Sequence, residues 1–224
     1  MRIDHARDLD SLLDEVREEV RATRQLTGRA VLEDRVVEAL RQVPRHAFVP
    51  SQLEHGAYAN HPLPIGHGQT ISQPYIVALM TDLIQPRPKD VVLEIGTGSG
   101  YQAAILANLV KQVYTLEIIE TLAREASERL RRLGYDNVEV REGNGRLGWP
   151  EHAPYDAILV AAAARGIPPA LIEQLKPGGT LVIPVGDPHA AQDLLVVSNL
   201  EDGRIEERRV LPVAFVPLTG APND

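Results

Sequence analysis

The first part of the chain places apolar residues among charged ones with a helical period. Five apolar residues recur at intervals of one, three or four positions: Leu9, Leu12, Leu13, Val16 and Val20. This spacing is typical of one face of an amphipathic helix, and the charge run from Asp14 to Arg24 is expected to form its solvated face. The pattern predicts helices over residues 4–43, interrupted at Thr27-Gly28 and stopped by Pro44.

From residue 90 onward, short apolar runs alternate with segments of helical spacing. Strands are predicted at 91–95, 113–116, 138–140, 157–160, 180–183, 193–198 and 206–216, and helices at 100–110, 119–133 and 169–175. Short connections between alternating strands and helices predict a parallel sheet with helices on both faces. Only residues 199–205 separate the last two strands, which predicts a hairpin and an antiparallel edge. The sequence therefore predicts an α/β fold with a doubly wound, mostly parallel sheet and a helical N-terminal extension.

Residues 44–74 show neither the helical spacing of apolar residues nor the short apolar runs of strands. Prolines and glycines recur throughout this segment: Pro44, Pro50, Gly56, Pro62, Pro64, Gly66, Gly68 and Pro74. They disfavour regular structure, and a loop of this length in a compact domain is often functional. A rigid surface wrap is the alternative. We expect a single domain in which residues 1–74 form the helices and a covering loop, and residues 75–224 form the α/β core.

Composition narrows the functional classes. Charged residues make up 24% and hydrophobic residues 44%, as in globular proteins. The net charge of −8 argues against nonspecific binding to nucleic acid. There is no cysteine and no run of 18 apolar residues, which argues against disulfides, thiolate zinc sites, cysteine nucleophiles and a membrane span. The N-terminus has no apolar signal core, so we expect a cytoplasmic protein.

Four histidines lie in the loop segment. His46, His55, His61 and His67 are nine, six and six residues apart, and this spacing matches no compact metal-ligand motif. The sequence therefore predicts no metal site.

A glycine-rich turn follows the first predicted strand of the core. Residues 94–100 read Glu-Ile-Gly-Thr-Gly-Ser-Gly, and glycines here let the backbone approach a ligand closely. The spacing is not the G-x-G-x-x-G of dinucleotide folds, and the lysine of a P-loop is absent. Glu117 ends the next strand, where a carboxylate can accept both ribose hydroxyl hydrogens. A ligand that contains a nucleoside but no phosphates indicates S-adenosylmethionine. The alternative interpretation of the glycine motif is a generic strand-to-helix turn.

Longer stretches resemble the protein-L-isoaspartate (D-aspartate) O-methyltransferase family, whose members methylate isomerised aspartyl residues. The Gln-Thr-Ile-Ser-Gln-Pro string at residues 69–74 is specific to this family, whereas the glycine turn is shared by methyltransferases at large. The other matching stretches are 43–50, 63–66, 92–102, 148–158, 175–179 and 215–219. The resemblance implies a Rossmann-like methyltransferase fold, S-adenosylmethionine as cofactor, and isoaspartyl proteins and peptides as substrates, with D-aspartyl residues as a further candidate.

The resemblance also implies roles for individual residues. Ser72 falls at the family's active-site serine, and Thr70, Ile71 and Val216 fall beside the substrate. The implied cofactor residues are Glu94 and Gly96 beneath the methionine moiety, Thr97, Gly98, Ser99 and Gly100 in the same turn, Glu117 at the ribose, Asn144 and Gly145 near the adenine, and Thr219 in the C-terminal segment over the cleft. The family usually has Asp-Gly where this chain has Asn144-Gly145, and a tight turn is the alternative role for that pair.

Methyl transfer to a carboxylate requires orientation more than acid–base chemistry. The carboxylate is already ionised at neutral pH, so neither a general base nor a metal is needed. The acceptor oxygen must lie about 3 Å from the methyl carbon, in line with the sulfur. Ser72 is predicted to be an orienting hydrogen-bond donor, and an N-cap of the helix beginning at residues 73–74 is the alternative.

Two other functions stay open from sequence. One is a methyltransferase acting on RNA or a small metabolite, although cytosine-C5 chemistry would need a cysteine and N6-adenine chemistry an N-P-P-[YFW] tetrapeptide. The other is an S-adenosylmethionine-binding module without activity. We expect the protein to be a monomer.

Overall fold

The computed structural model describes residues 5–187 and 190–220. Two amphipathic helices open the chain: α1 (His5–Thr27) and α2 (Asp34–Gln42). Leu12, Leu13, Val16 and Val20 of α1 are buried, as the period predicts. The helical N-terminal extension is therefore confirmed over the residues described, and residue 4 lies outside them.

The α/β core alternates strands and helices. Its strands are β3 (Val91–Ile95), β4 (Gln112–Glu117), β5 (Val138–Glu142), β6 (Tyr155–Val160), β7 (Leu175–Gly186), β8 (Gln192–Asn199) and β9 (Ile205–Val213). Its helices are α3 (Pro74–Leu83), α4 (Tyr101–Ala107), α5 (Glu120–Arg132) and α6 (Pro169–Glu173). The predicted doubly wound core is confirmed, with some strands longer than their apolar runs.

The seven strands form one sheet in the order β5-β4-β3-β6-β7-β8-β9. Strands β5, β4, β3, β6 and β7 pair in parallel, and β8 and β9 add an antiparallel edge. The chain leaves β3 toward β4 on one side and leaves β6 toward β7 on the other, so the order reverses between β3 and β6. In such sheets ligands bind beyond the carboxyl ends of the strands at this reversal.

The segment 44–74 holds more regular structure than predicted. Two short 3₁₀ helices (Arg45–Phe48 and Ser51–Gly56) precede an antiparallel hairpin of β1 (Leu63–Gly66) and β2 (Gln69–Ile71). Two residues with positive φ, His67 (52°) and Gly68 (70°), make its turn. The hairpin carries Thr70 and Ile71 on β2 and delivers Ser72 directly after it.

The last strand is shorter than the predicted 206–216. It ends at Val213 because the backbone of Phe215 pairs with the Gln192 side chain instead of a neighbouring strand. Phe215 N donates to Gln192 Oε1 at 2.7 Å, and Gln192 Nε2 donates to the Phe215 carbonyl at 3.0 Å. Ala163 then accepts from Leu218 N and donates to the Val216 carbonyl, both at 2.8 Å. Residues 216–218 are thereby drawn across the carboxyl ends of the strands.

One continuous cluster of buried side chains joins the N-terminal helices to the core. It includes Leu13 of α1, Val36 of α2, Leu79 of α3, Leu159 of β6 and Val196 of β8. Burial of this apolar surface fixes the N-terminal helices beside the covering segment. None of the helices described is long and apolar enough to cross a membrane.

Candidate cofactor and acceptor site

A cleft lies at the carboxyl ends of β3, β4 and β6. Its empty space, including the open mouth, is about 770 Å³. Eleven of the residues expected at the site line it: Thr70, Ile71, Ser72, Gly96, Thr97, Gly98, Ser99, Glu117, Gly145, Val216 and Thr219. Glu94, Gly100 and Asn144 do not line this cleft.

The glycine turn forms the floor of the cleft. Gly96, Gly98 and Gly100 all have positive φ, at 91°, 52° and 87°, a region that residues with a side chain rarely adopt. A Cβ on Gly100 would lie 3.1 Å from Leu130 Cδ1 of α5. Gly100 therefore serves helix packing, while Gly96 and Gly98 bring the backbone to the cleft surface.

Glu117 holds the turn from the end of β4. Its carboxylate accepts hydrogen bonds from Gly98 N at 2.8 Å and from Ile119 N at 3.0 Å, one on each oxygen. Each carboxylate oxygen can accept a second hydrogen bond. The residue is thus placed to hold the turn and to accept from two further hydroxyl groups in the cleft.

Glu94 is buried beneath the turn rather than exposed in it. Its Oε2 accepts from Thr115 Oγ1 at 2.6 Å, and Thr115 Oγ1 lies 2.7 Å from Thr97 Oγ1. Its Oε1 is buried without a hydrogen-bond partner among the described residues. Burial, and to a smaller extent the charge of Glu117, raise the pKa of Glu94 to about 8 against the lowering effect of Thr115. The Glu94 side chain is therefore mostly protonated at neutral pH.

Ser72 is positioned by a buried arginine. Arg45 Nη2 donates to the Ser72 carbonyl at 2.8 Å, and Arg45 Nε donates to the Ala57 carbonyl at 2.9 Å. The guanidinium also lies 4.9 Å from the centre of the Tyr101 ring, which lines the cleft. These contacts fix the covering segment at the residue expected to orient the acceptor.

The alternative capping role of Ser72 is wrong. The N-cap of α3 is Gln73, with Pro74 at the first helical position and no side-chain capping bond. The Ser72 hydroxyl has no hydrogen-bond partner in the described part of the chain, so it is available to an acceptor.

Asn144 does not line the cleft, although Gly145 next to it does. Its Nδ2 donates to the Gly220 carbonyl at 2.8 Å, and its Oδ1 accepts from Arg146 N at 3.0 Å. The second bond caps the short 3₁₀ helix Gly145–Leu147, so the turn role of this pair is confirmed. Asn144 also ties down the end of the segment that carries Thr219.

Sequence reasoning missed the apolar walls of the cleft. They are Ile95, Leu116, Ile118, Ile119, Ala161, Ala162, Pro217 and Leu218, and Tyr101 and Gln102 add polar groups at the start of α4. Most of these residues lie at or just after a strand's carboxyl end. The predicted strand ends could therefore have identified several of them.

A second, outer cavity adjoins the cleft. It shares Thr70, Ser72, Ala161 and Val216 with the cleft. Its empty space, including the open mouth, is about 1420 Å³, nearly twice that of the cleft. Ser72 thus lies where a small cofactor cleft meets a larger groove. We call this cavity the acceptor groove.

The loop histidines do not converge. His46 Nδ1 lies 2.8 Å from Tyr58 Oη, and the His46 ring stacks on His5 at 4.1 Å. Within residues 5–187 and 190–220, no three histidine or acidic side chains are grouped to hold a metal ion.

A sheet of this order, with a glycine turn after β3 and a glutamate at the end of β4 where the strand order reverses, is the arrangement of a nucleoside-binding α/β fold. Together with the sequence and structure matches that follow, it defines an S-adenosylmethionine-dependent methyltransferase. The sequence matches the model of the family Protein-L-isoaspartate(D-aspartate) O-methyltransferase (PCMT) over residues 18–223. The chain belongs to this family.

Similar sequences and a similar structure carry the name of the same enzyme family. The chain is 59% identical over 206 residues to protein-L-isoaspartate O-methyltransferase 2 of Syntrophobacter fumaroxidans, covering 92% of this chain and 83% of that one. It is 59% identical over 209 residues to the protein of the same name from a Polaromonas species, covering 93% and 99%. A Plasmodium falciparum structure assigned to this activity, in complex with S-adenosyl-L-homocysteine, superimposes with a TM-score of 0.76 at 28% identity, covering 93% and 97% of the two chains.

Proposed function

We propose that this protein transfers the methyl group of S-adenosylmethionine to the free carboxylate of L-isoaspartyl residues in damaged proteins and peptides, as a repair enzyme. The observation that carries the proposal is the place of Ser72, whose half-buried side chain lies at the junction of the cofactor cleft and the acceptor groove. Membership of the family supports the same reaction.

The residues of the cleft fit the cofactor. Gly96 and Gly98 leave room for the methionine moiety, the Glu117 carboxylate has acceptor capacity for the two ribose hydroxyls, and the apolar walls suit an adenine ring. When bound, S-adenosylmethionine supplies a methyl carbon on a positively charged sulfur, which leaves as a neutral thioether when the carboxylate oxygen bonds to that carbon.

The protein's own part is to orient the acceptor and to exclude water. Ser72 donates its hydroxyl hydrogen to the acceptor carboxylate, and Arg45 keeps the Ser72 backbone in place. Thr70, Ile71 and Val216 form the walls around this point. Because the acceptor is ionised before transfer, no proton has to be removed by the enzyme.

Transfer of labelled methyl from S-adenosylmethionine tests the proposal. An isoaspartyl peptide should be labelled and its normal aspartyl twin should not, and the label should be released by mild base because a carboxyl ester is labile. A base-stable product, or equal labelling of the twins, would refute the proposal. A D-aspartyl peptide in the same assay decides whether that isomer is accepted.

We also propose a cytoplasmic, single-domain monomer. The buried cluster shared by residues of 1–74 and 75–224 supports the single domain. The cleft and the groove are both lined by residues of this chain. Light scattering on the purified protein tests the oligomeric state, and cell fractionation tests the location.

A further inference from the structure

The acceptor groove has one charged lining residue, and it comes from the N-terminal helix. The groove is lined by Glu19, Pro62, Thr70, Ser72, Gln73, Tyr75, Ile76, Ala161 and residues 211–216. Of these described residues, only Glu19 carries a charge at neutral pH. The groove is larger than the cleft and open along one side, so it can admit an extended chain segment.

Glu19 is held in the groove by two neutral amides. Its Oε2 accepts from Asn60 Nδ2 at 2.8 Å and from Gln73 Nε2 at 3.0 Å. Gln73 directly follows Ser72, so the carboxylate lies beside the residue that is expected to orient the acceptor. The side chain is half-buried, unlike the solvated face that the charge run predicts.

The same contacts fix α1 to the covering segment. Thr23 Oγ1, one turn after Glu19, lies 2.7 Å from Tyr75 Oη. Asn60 Oδ1 accepts from Tyr75 N at 3.0 Å. Glu19 is therefore a fixed feature of the groove wall and not a freely rotating surface side chain.

No residue that the structure describes neutralises the charge of Glu19. Among the described residues, no lysine, arginine or histidine nitrogen forms an ion pair with it, and its bonds on Oε2 are to neutral groups. A half-buried carboxylate without a cation produces a negative potential in the groove, which favours a positive charge on the occupant and disfavours a negative one.

We propose that Glu19 determines acceptor specificity by favouring isoaspartyl substrates with lysine or arginine within two residues of the modified position. This inference rests on the proposed function, because it assumes that the groove holds the acceptor chain. Two extended residues span about 7 Å, and a lysine side chain adds reach toward the carboxylate.

A purely structural role for Glu19 makes a different prediction. If the side chain only joins α1 to Asn60 and Gln73, then Glu19→Gln preserves the role, since the glutamine oxygen can accept the same two hydrogen bonds. If the charge reads the substrate, Glu19→Gln removes the preference while α1 stays docked. The substitution therefore separates the two roles.

The experiment measures kcat/KM for three isoaspartyl peptides that differ only at the positions flanking the isoaspartyl residue, with lysine, alanine or glutamate. An ion pair at a partly exposed site changes affinity by up to about fivefold. Because lysine against glutamate compares attraction with repulsion, we expect a ratio of about tenfold for the unmodified protein, mainly through KM. The ratio should fall in 0.5 M salt, which screens the interaction.

Glu19→Gln should reduce the lysine-to-glutamate ratio to about one-fifth of its original value or less, given the upper range for such pairs. The matched control is Glu18→Gln, which removes the same charge from an exposed neighbouring position of α1 and should retain the ratio. The thermal unfolding midpoint of each variant confirms that α1 is still packed.

Each outcome decides one of the two proposals. If none of the peptides is methylated, the proposed function fails. If the alanine peptide is methylated but the ratio is near one, or is unchanged by salt and by Glu19→Gln, the function stands and the role of Glu19 is refuted. An equal loss of the ratio in Glu18→Gln would assign the preference to the net charge of the protein and would also refute it.

Discussion

The buried carboxyl group of Glu94 should make the stability of the cofactor-free protein depend on pH. The side chain is 0% exposed, and burial raises its pKa from 4.5 to about 8. Glu94→Gln replaces it with a neutral group of nearly the same shape, which can still accept the hydrogen bond of Thr115. The substitution therefore removes the ionisation and leaves the packing largely intact.

The direction in which stability changes with pH follows from proton binding. Between pH 4.5 and 8 the folded protein retains the Glu94 proton and the unfolded chain has lost it, so the free energy of unfolding falls as pH rises. The contribution is complete below pH 4.5 and is lost as pH rises through 8. At about 1.36 kcal/mol per pH unit, the loss between pH 5 and pH 8 is roughly 3–4 kcal/mol.

Thermal unfolding of both proteins across this range measures the effect. A domain of this size changes its unfolding temperature by roughly 2–4 °C per kcal/mol, so Glu94→Gln should gain roughly 6–16 °C relative to the original protein between pH 5 and pH 8. Because both proteins carry the same other titrating groups, the difference between their unfolding temperatures removes the contribution of those groups. Glu139→Gln, an exposed position on β5, should show a constant difference. A constant difference for Glu94→Gln as well would refute the reasoning.

Three further substitutions test the site. Glu117→Ala should weaken S-adenosylhomocysteine binding by roughly 10- to 150-fold, since hydrogen bonds to a charged group are worth about 1.5–3 kcal/mol; an unchanged Kd in calorimetry would remove Glu117 from the site. Ser72→Ala should leave that Kd within about twofold but reduce turnover of an isoaspartyl peptide by roughly 10- to 100-fold, because misplacement lowers the rate steeply. Turnover at the original level would mean that the backbone does the orienting. Asn144→Asp removes the N–H that donates to the Gly220 carbonyl, so amide hydrogen exchange of residues 218–220 should become faster; unchanged exchange would show that this bond does not hold the segment.

The sheet and the cofactor turn are the parts that sequence predicts well. Val91–Ile95 and Tyr155–Val160 are mostly buried on both faces of a parallel sheet, so they appear as apolar runs, each interrupted by a single acidic residue, Glu94 or Asp156. The glycine turn and Glu117 follow directly from strand ends, and the topology of such sheets brings strand ends together. Local sequence therefore determines both the elements and their place in the site.

The hairpin of β1 and β2 shows where the pattern of apolar and polar residues fails to predict a strand. Its strands have four and three residues, too few to establish an alternation. Pro64 disfavours a strand except at an edge, and His67-Gly68 is not the Asn-Gly or Asp-Gly pair that marks a two-residue turn. The pairing is recognisable only once the register of Pro64 with Thr70 is seen.

The roles of Glu19 and Arg45 are still harder to predict from sequence, because they depend on partners distant in the chain. The contacts of Glu19 are 41 and 54 residues away, and Arg45 reaches the Ser72 carbonyl across 27 residues. A charged residue on an amphipathic helix is solvated unless another segment covers it, and the sequence of the helix does not specify that segment. The helical period of apolar residues thus fixes which face of α1 packs on the core, while the docking of the covering segment decides that Glu19, rather than its neighbour Glu18, lines the groove beside Gln73.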